Sequence, residues 1–519
     1  MLPVWSLRCI NKYLRSMGVG VLSRSKFLFV ILGVIVTGFC FLGLRLSEII
    51  QLQKRQLSIQ ATSHVQRVPV NLGEKKSSTN HLTYWLIAKN AESPHMQHVR
   101  NVFRMCGYDR LDKVSSSWDV VWSYEYPFPS KIKPEDIKPN QLINHFPGSG
   151  YLTSKVFLVK SKLSYIPTAF ELPKDKDQFT KFAKANPEKL WVQKSNNHRG
   201  ITIKSVDGLD LSASNTFVQE FVSDPFLIDN RKFDIGIYTV ITSIDPLRVY
   251  VYDGEWLIRF CPEDYAPLDV KNPRKYVVED DYTPTWEMPS LRDYYVRLKL
   301  SHRESILAYV RSQNLDADSL PRRIYDAVGD MILEKQTHFI KSLEKYPYGS
   351  STFFEMVRFD FVLDSKLNIY LMEVNMSPNL SSAHFSANAL LYEQVLLNTF
   401  SVAGITSKLL QVHESVQPDI LVSVKDIQVY EKECSQCASC ATQLCKLCVP
   451  CLTPTMKTNL ERAYREHTNR MQCARAFPKP VSELGKGTKE NTNNHLTEND
   501  KLMELWFTGM CRKSSAWCQ

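Results

Sequence analysis

Between Met356 and Asn375 the sequence MVRFDFVLDSKLNIYLMEVN holds two β-rich runs separated by the polar stretch Asp364 to Asn368, the pattern of two strands joined by a turn. Residues two apart in a strand share a face, so Glu373 and Asn375 project together beside Asp360 on the neighbouring strand. Two carboxylates and an amide oxygen form a hard-oxygen set suited to Mg²⁺ bridging nucleotide phosphates. Acidic residues also mark strand ends and turns, and on this segment alone both readings stand.

Strand-like runs recur at LWVQK, NTFVQEFV, GIYTVITS and LRVYVY between Trp191 and Tyr265, and helical periodicity runs from about Pro289 to Tyr346. Further upstream, HLTYWLIA, a charged amphipathic stretch and WDVVWSY give a strand–helix–strand pattern from His81. A chain of 519 residues, 44% hydrophobic, is a folded protein with room for two or three domains. That excludes a disulfide mini-scaffold, a collagen-like chain and a wholly disordered polyelectrolyte. The formal charge of +10 favours an acidic partner without naming it. Lys155 in NHFPGSGYLTSK and Lys194 in LWVQKSNNHRG stand where a point charge could meet phosphate, and Arg231, Lys232, Asp234 and Arg259 border strands. Singly, these are ordinary surface charges.

From Phe27 to Leu44 the chain carries no charge, a reach of roughly 27 Å at about 1.5 Å per residue, which nearly spans a bilayer. Arg8, Lys12, Arg15, Arg24 and Lys26 precede this run, and Arg45, Lys54 and Arg55 follow it. The positive-inside rule then favours a single-pass type II anchor with the C-terminal region in the lumen of the endoplasmic reticulum or Golgi; a domain facing the cytosol is the alternative. The sequons at Asn375 and Asn379 fall inside the candidate magnesium and nucleotide motif, so glycosylation does not decide the sidedness.

Taken in order, NHFPGSGYLTSK, LWVQKSNNHRGITI, FVQEFVSDPFLIDNRKFD, PLRVYVYDGEWLIRF and RFDFVLDSKLNIYLMEVNMSPNL resemble the signatures of the tubulin tyrosine ligase-like family, over about His81 to Gly404. LERAYREHTNRMQCARAFP is similar to that family's closing helix. The resemblance implies an α/β (α+β) ATP-grasp fold, two lobes holding ATP behind a small N-terminal domain. It implies that Lys155, Lys194 and Gly200 contact ATP phosphates, and that Gln219, Glu220 and Phe221 hold adenine. It further implies that Asp360, Glu373 and Asn375 hold Mg²⁺, that Arg259 stabilises the transferring phosphoryl group, and that Lys232 and Asp234 position the reacting groups. The implied reaction activates an acceptor carboxylate as an acyl phosphate for attack by an amine. Glutamate is the default amino acid, and the partners are acidic tubulin C-terminal tails or another acidic protein, with no nucleic acid.

The expected organisation is a flank over 1–26, a transmembrane helix over 27–44, a stalk over 45–80 and a small α/β domain over 81–150. Ligase lobes follow over 151–410, a cysteine-rich insertion and closing helix over 411–480, and a disordered tail over 481–519. Three features depart from the family pattern. Gly236 stands in KFDIG where the family carries an arginine, HRGIT offers only Gly200, and VVEDDYTPTWEMPSLRDY replaces the HLTN signature. Losing one fixed cation near the transferred phosphate costs on the order of 2.7–4 kcal/mol of transition-state stabilisation unless Arg259 or Arg231 compensates. The alternative to a ligase is therefore a nucleotide-binding pseudoenzyme acting as a membrane-tethered regulatory protein. Cys434, Cys437, Cys440, Cys445, Cys448 and Cys451 allow three disulfides in an oxidising lumen or a structural Zn²⁺ site in the cytosol. A lumenal catalytic domain never meets tubulin, so sidedness and acceptor are linked.

Overall fold

The computed structural model describes residues 82–112, 117–195, 201, 203–407, 422–483 and 496–519. All belong to the compact unit Asn80–Gln519; the apolar run 27–44 and Gly200 lie outside the described residues. Among the described residues no helix is long and apolar enough to cross a membrane.

The fold is mixed α/β. It begins with β1 (Thr83–Ile87), α1 (Pro94–Met105), β2 (Asp109–Leu111), β3 (Val120–Ser123) and β4 (Leu142–Asn144). These four strands are parallel in the order β2-β1-β3-β4. Next come β5 (Ala169–Leu172), α2 (Lys176–Ala185), β6 (Trp191–Ser195), β7 (Ile203–Lys204) and β8 (Thr216–Glu220), whose strands form a separate antiparallel sheet in the order β5-β8-β6-β7. Phe179 of α2 meets the edge of the buried Trp191 ring at 4.9 Å, which seals this small lobe.

The chain then returns to the large sheet with β9 (Phe233–Ile244), β10 (Leu247–Tyr252), β11 (Leu257–Phe260) and β12 (Thr283–Pro284). Helices α3 (His302–Ser312) and α4 (Leu320–Leu343) lead to the hairpin β13 (Phe353–Leu363) and β14 (Ile369–Asn375), then to α5 (Ala389–Val402). In α4 the buried Leu320, Ile324, Val328, Met331, Ile332 and Phe339 make one apolar stripe against the sheet. Each such fully buried side chain contributes roughly 1.5–3 kcal/mol. β4 pairs in parallel with β13, Ile143 opposite Phe353, so the N-terminal strands continue the same 11-stranded sheet.

The C-terminal region corrects the expected disordered tail. After α6 (Pro454–Thr468), β15 (Cys473–Phe477) pairs antiparallel with β10, and α7 (Glu498–Lys513) starts from a capping box between Thr497 and Asp500. Trp506, Met503, Phe507 and Trp517 are buried with Leu460 and Met456 of α6 in a core of their own. Composition hid this because the polar residues before Glu498 dilute the amphipathic KLMELWFTGM that follows. The zinc reading is also corrected. Disulfides join Cys434 to Cys448, Cys437 to Cys445 and Cys440 to Cys451, which leaves none of the six sulfurs as a thiolate for a metal. A fourth, unanticipated disulfide joins Cys511 to Cys518.

Candidate active site

Strand register assembles the carboxylates. Asp360 on β13 sits directly opposite Glu373 on β14, and Arg358 opposite Asn375. On its other edge β13 places Asp360 opposite Gly236 of β9, which in turn faces Leu257 of β11, while Asp234 faces Arg259. Four neighbouring strands therefore bring together residues that lie far apart in the sequence.

Asp360 is buried and surrounded by donors. Arg358 donates through Nε to Oδ1 (2.6 Å) and through Nη2 to Oδ2 (2.8 Å); Arg259 Nη2 (3.1 Å) and Asn375 Nδ2 (2.9 Å) also reach Oδ2. Burial alone would raise the Asp360 carboxyl, but the guanidinium of Arg358, then that of Arg259, holds it below its ordinary value. Arg259 also grips Asp234, Nε to Oδ1 at 2.9 Å and Nη2 to Oδ2 at 2.7 Å. Burial raises the Asp234 carboxyl against that pairing, and repulsion from Asp360 adds to the rise.

The second group of charges gathers where the small lobe meets the large sheet. Lys155 opens the short helix Lys155–Val159, is buried, and its Nζ lies 3.6 Å from Glu373 Oε1. Lys194 on β6 donates to Gln219 Oε1 on β8 at 2.9 Å. Its ammonium is pushed down to about 8, by burial first and then by repulsion from Lys155. Phe221 follows β8, and Lys232 Nζ sits 4.8 Å from the centre of its ring while donating to the Tyr276 carbonyl at 3.0 Å. Lys232 therefore packs over Phe221 while staying within electrostatic reach of Asp234. Glu220 takes an ion pair from Lys189 at 2.6 Å, which directs its side chain to the lobe's surface layer and leaves its backbone beside Gln219.

The segment carrying Lys155 is pinned from below. Glu355 of β13, fully buried, accepts from the Phe146 amide at 2.9 Å and from the Ser149 hydroxyl, and lies 2.5 Å from His145 Nδ1. His145 takes a left-handed backbone (φ 87°) to reach it. The same β13 strand thus fixes both the loop leading to Lys155 and Asp360.

A cavity of about 490 Å³ opens beside the carboxylates, lined by Arg259, Tyr282, Arg358, Asn375, His384 and Tyr392 among others. Arg358 is the residue that sequence reasoning missed. Its signal was present, because it stands two positions before Asp360 in one strand and so shares its face. Tyr282, His384 and Tyr392 come from loops and helix α5, and no local pattern marks them.

Asp360, Glu373 and Asn375 bear oxygens of the kind Mg²⁺ prefers, and in this structure both oxygens of Asp360 accept hydrogen bonds from Arg358, Arg259 and Asn375, so a metal would take the place of some of these donors. Among the described residues no group of three or more His, Cys, Asp and Glu side chains is arranged to hold a metal ion by itself.

The profile of the tubulin-tyrosine ligase family matches residues 132–411. A probable tubulin polyglutamylase of Caenorhabditis elegans, ttll-15, is 43% identical over 448 residues, 83% of this chain and 85% of the relative. The chain belongs to the tubulin-tyrosine ligase family. Human tubulin polyglutamylase TTLL5 is 25% identical over 324 residues, and human tubulin monoglutamylase TTLL4 is 26% identical over 292. The aligned region is 58% and 53% of this chain, and 24% of each human protein. Lys155, Lys194, Gln219, Asp234, Arg259, Arg358, Asp360, Glu373 and Asn375 all fall inside the tubulin-tyrosine ligase match, whereas the disulfide-bonded segment and α7 lie beyond it.

Proposed function

We propose that this protein is an ATP-dependent ligase that joins glutamate to side-chain carboxylates of an acidic polypeptide, the reaction class named for its relatives. The observation that carries the reading is the meeting of Lys155, from the short helix Lys155–Val159, and Lys194, from the small antiparallel sheet, with the Asp360–Glu373 pair and its arginines inside the matched family region. Lys155 and Lys194 bind ATP phosphates as point charges. Gln219, the backbone of Glu220, and Phe221 line the adenine, with Lys232 behind the ring, and Gly200 is assigned to phosphate binding by the family resemblance alone. Asp360, Glu373 and Asn375 hold magnesium, which when bound supplies charge neutralisation at the phosphate oxygens.

In the reaction an acceptor carboxylate oxygen attacks the γ-phosphorus of ATP, and the P–O bond to ADP breaks to leave an acyl phosphate. The glutamate amine, having lost a proton, attacks the acyl carbon. The C–O bond to phosphate then breaks, giving an amide and free phosphate. Arg259 is fixed by Asp234 where negative charge develops on the phosphoryl oxygens, and such preorganised cations need no rearrangement at the moment of transfer. The convergence of Lys155, Lys194, Arg259 and Arg358 with Asp234, Asp360 and Glu373 favours a ligase over a nucleotide-binding pseudoenzyme. With Mg²⁺, ATP, labelled glutamate and purified tubulin, the full chain is expected to incorporate label, and Glu373→Ala to abolish incorporation. No incorporation by the wild type into tubulin or a glutamate-rich peptide would overturn the reading.

The uncharged run 27–44 anchors the chain in a membrane, and the four disulfides favour an oxidising compartment for the C-terminal region. The basic balance of the chain suits an acidic acceptor on either side. Tubulin tails fill that role in the cytosol, and an acidic lumenal polypeptide fills it in an oxidising compartment.

A further inference from the structure

Gly236 sits in the interior of β9, where glycine weakens a strand and offers no side chain to pack. Its backbone does not call for glycine, because it is not among the residues of positive φ. Space does. A Cβ at position 236 would lie 2.9 Å from Arg358 Cδ, 3.2 Å from Leu257 Cβ and 3.3 Å from Arg358 Nε. The side chain of Arg358 therefore crosses from β13 over the bare backbone of β9 and occupies the volume a residue at position 236 would fill.

Its guanidinium emerges at the cavity wall beside Arg259, held by two hydrogen bonds to Asp360. Resting on the ligase reading above, we infer that Arg358 is a catalytic cation of this enzyme, donated from β13 to the transferring phosphoryl group, and that Gly236 exists to admit it. Arg259 and Arg358 then form a pair of guanidiniums across Asp360, and with Asp234 the four charges balance within a buried cluster. This answers the apparent loss at Gly236: a second fixed cation is present, two residues before the carboxylate it braces. Arginine suits the place better than lysine, because its planar fork grips Asp360 through Nε and Nη2 while the same charge faces the cavity.

The test is a strand-swap cycle in the full chain: Arg358→Gly, Gly236→Arg and the double variant, each checked for folding by thermal melting. Two readouts are used: glutamate incorporation into tubulin and a glutamate-rich peptide, and calorimetric binding of Mg·ATP with a phosphinate analogue of γ-glutamyl phosphate. Arg358→Gly is expected to lower incorporation and analogue affinity by about 10²–10³-fold while Mg·ATP binding stays within a few-fold. Gly236→Arg is expected to fail through collision with Arg358, and the double variant to recover to within about tenfold of wild type. If Arg358→Gly fails to fold, recovery in the double variant still supports the inference. Wild-type incorporation in a folded Arg358→Gly, or a double variant no better than either single one, overturns it. A wild type that neither incorporates glutamate nor binds the analogue overturns the ligase reading itself, and the inference with it.

Discussion

Arg248 of β10 and Glu466 of α6 form a buried ion pair through two bonds, Nε to Oε2 at 2.7 Å and Nη2 to Oε1 at 3.0 Å. Thr242 (2.8 Å) and Tyr250 (3.3 Å) donate to the same Oε2, so the closing helix is fastened to the sheet by a satisfied carboxylate. Removing one partner strands the other charge in the interior, which costs about 3–5 kcal/mol. Glu466→Ala is expected to lose that much stability in urea unfolding. A loss below about 1 kcal/mol would mean that the pair does not fasten the helix.

Lys194 gives a pH signature. Its ammonium is pushed down to about 8, below the ordinary lysine range, so at higher pH the folded protein carries it neutral while the unfolded chain still binds the proton. This contribution therefore adds to stability as pH rises from about 8 toward the ordinary lysine value near 10.4. Nucleotide binding runs the other way, because phosphate needs the charged form. Mg·ATP affinity is expected to fall as pH rises through about 8, and binding at pH 8.5 to take up protons. Calorimetry in buffers of different ionisation enthalpy measures this uptake, and Lys194→Met should remove it.

The C-terminal disulfides predict a mass signature. The four disulfides among the described residues make the native chain lighter by eight hydrogens than with those bonds reduced, and three cysteines of the described region, Cys106, Cys261 and Cys473, remain as buried thiols. Each disulfide typically stabilises by about 2–4 kcal/mol. Reduction is expected to expose the Trp506–Trp517 core to proteolysis before the large sheet opens. Intact mass of the full chain isolated without reductant, compared with the reduced chain, checks the count.

Sidedness follows from protease treatment of sealed microsomes carrying a C-terminally tagged chain. Protection lost only on adding detergent is the expected outcome of a type II anchor with an oxidised C-terminal region, and it assigns a lumenal acidic acceptor. Digestion without detergent places the domain with tubulin and requires the eight paired cysteines to persist in a reducing compartment.

The strand runs LWVQK, GIYTVITS and LRVYVY and the hairpin around Asp364 to Asn368 were legible, because alternation and β-branched content are local properties. Asp360, Glu373 and Asn375 were legible for the same reason, a period of two within one hairpin. The place of Arg358 on the face of Asp360 was legible too, but its importance was not, because that comes from a glycine on another strand more than a hundred residues away. The folded α7 escaped because its amphipathic stripe follows a polar stretch and has meaning only against α6.

By itself the sequence determined the main strand runs, the acidic hairpin and the run of basic motifs, since propensity, alternation and spacing act over a few residues. Tertiary structure alone decided which arginines face Asp360, that Lys232 turns to Phe221, and how the cysteines pair. Those outcomes depend on strand register and lobe packing, which are set by contacts between distant residues and by the volume each side chain leaves to its neighbours.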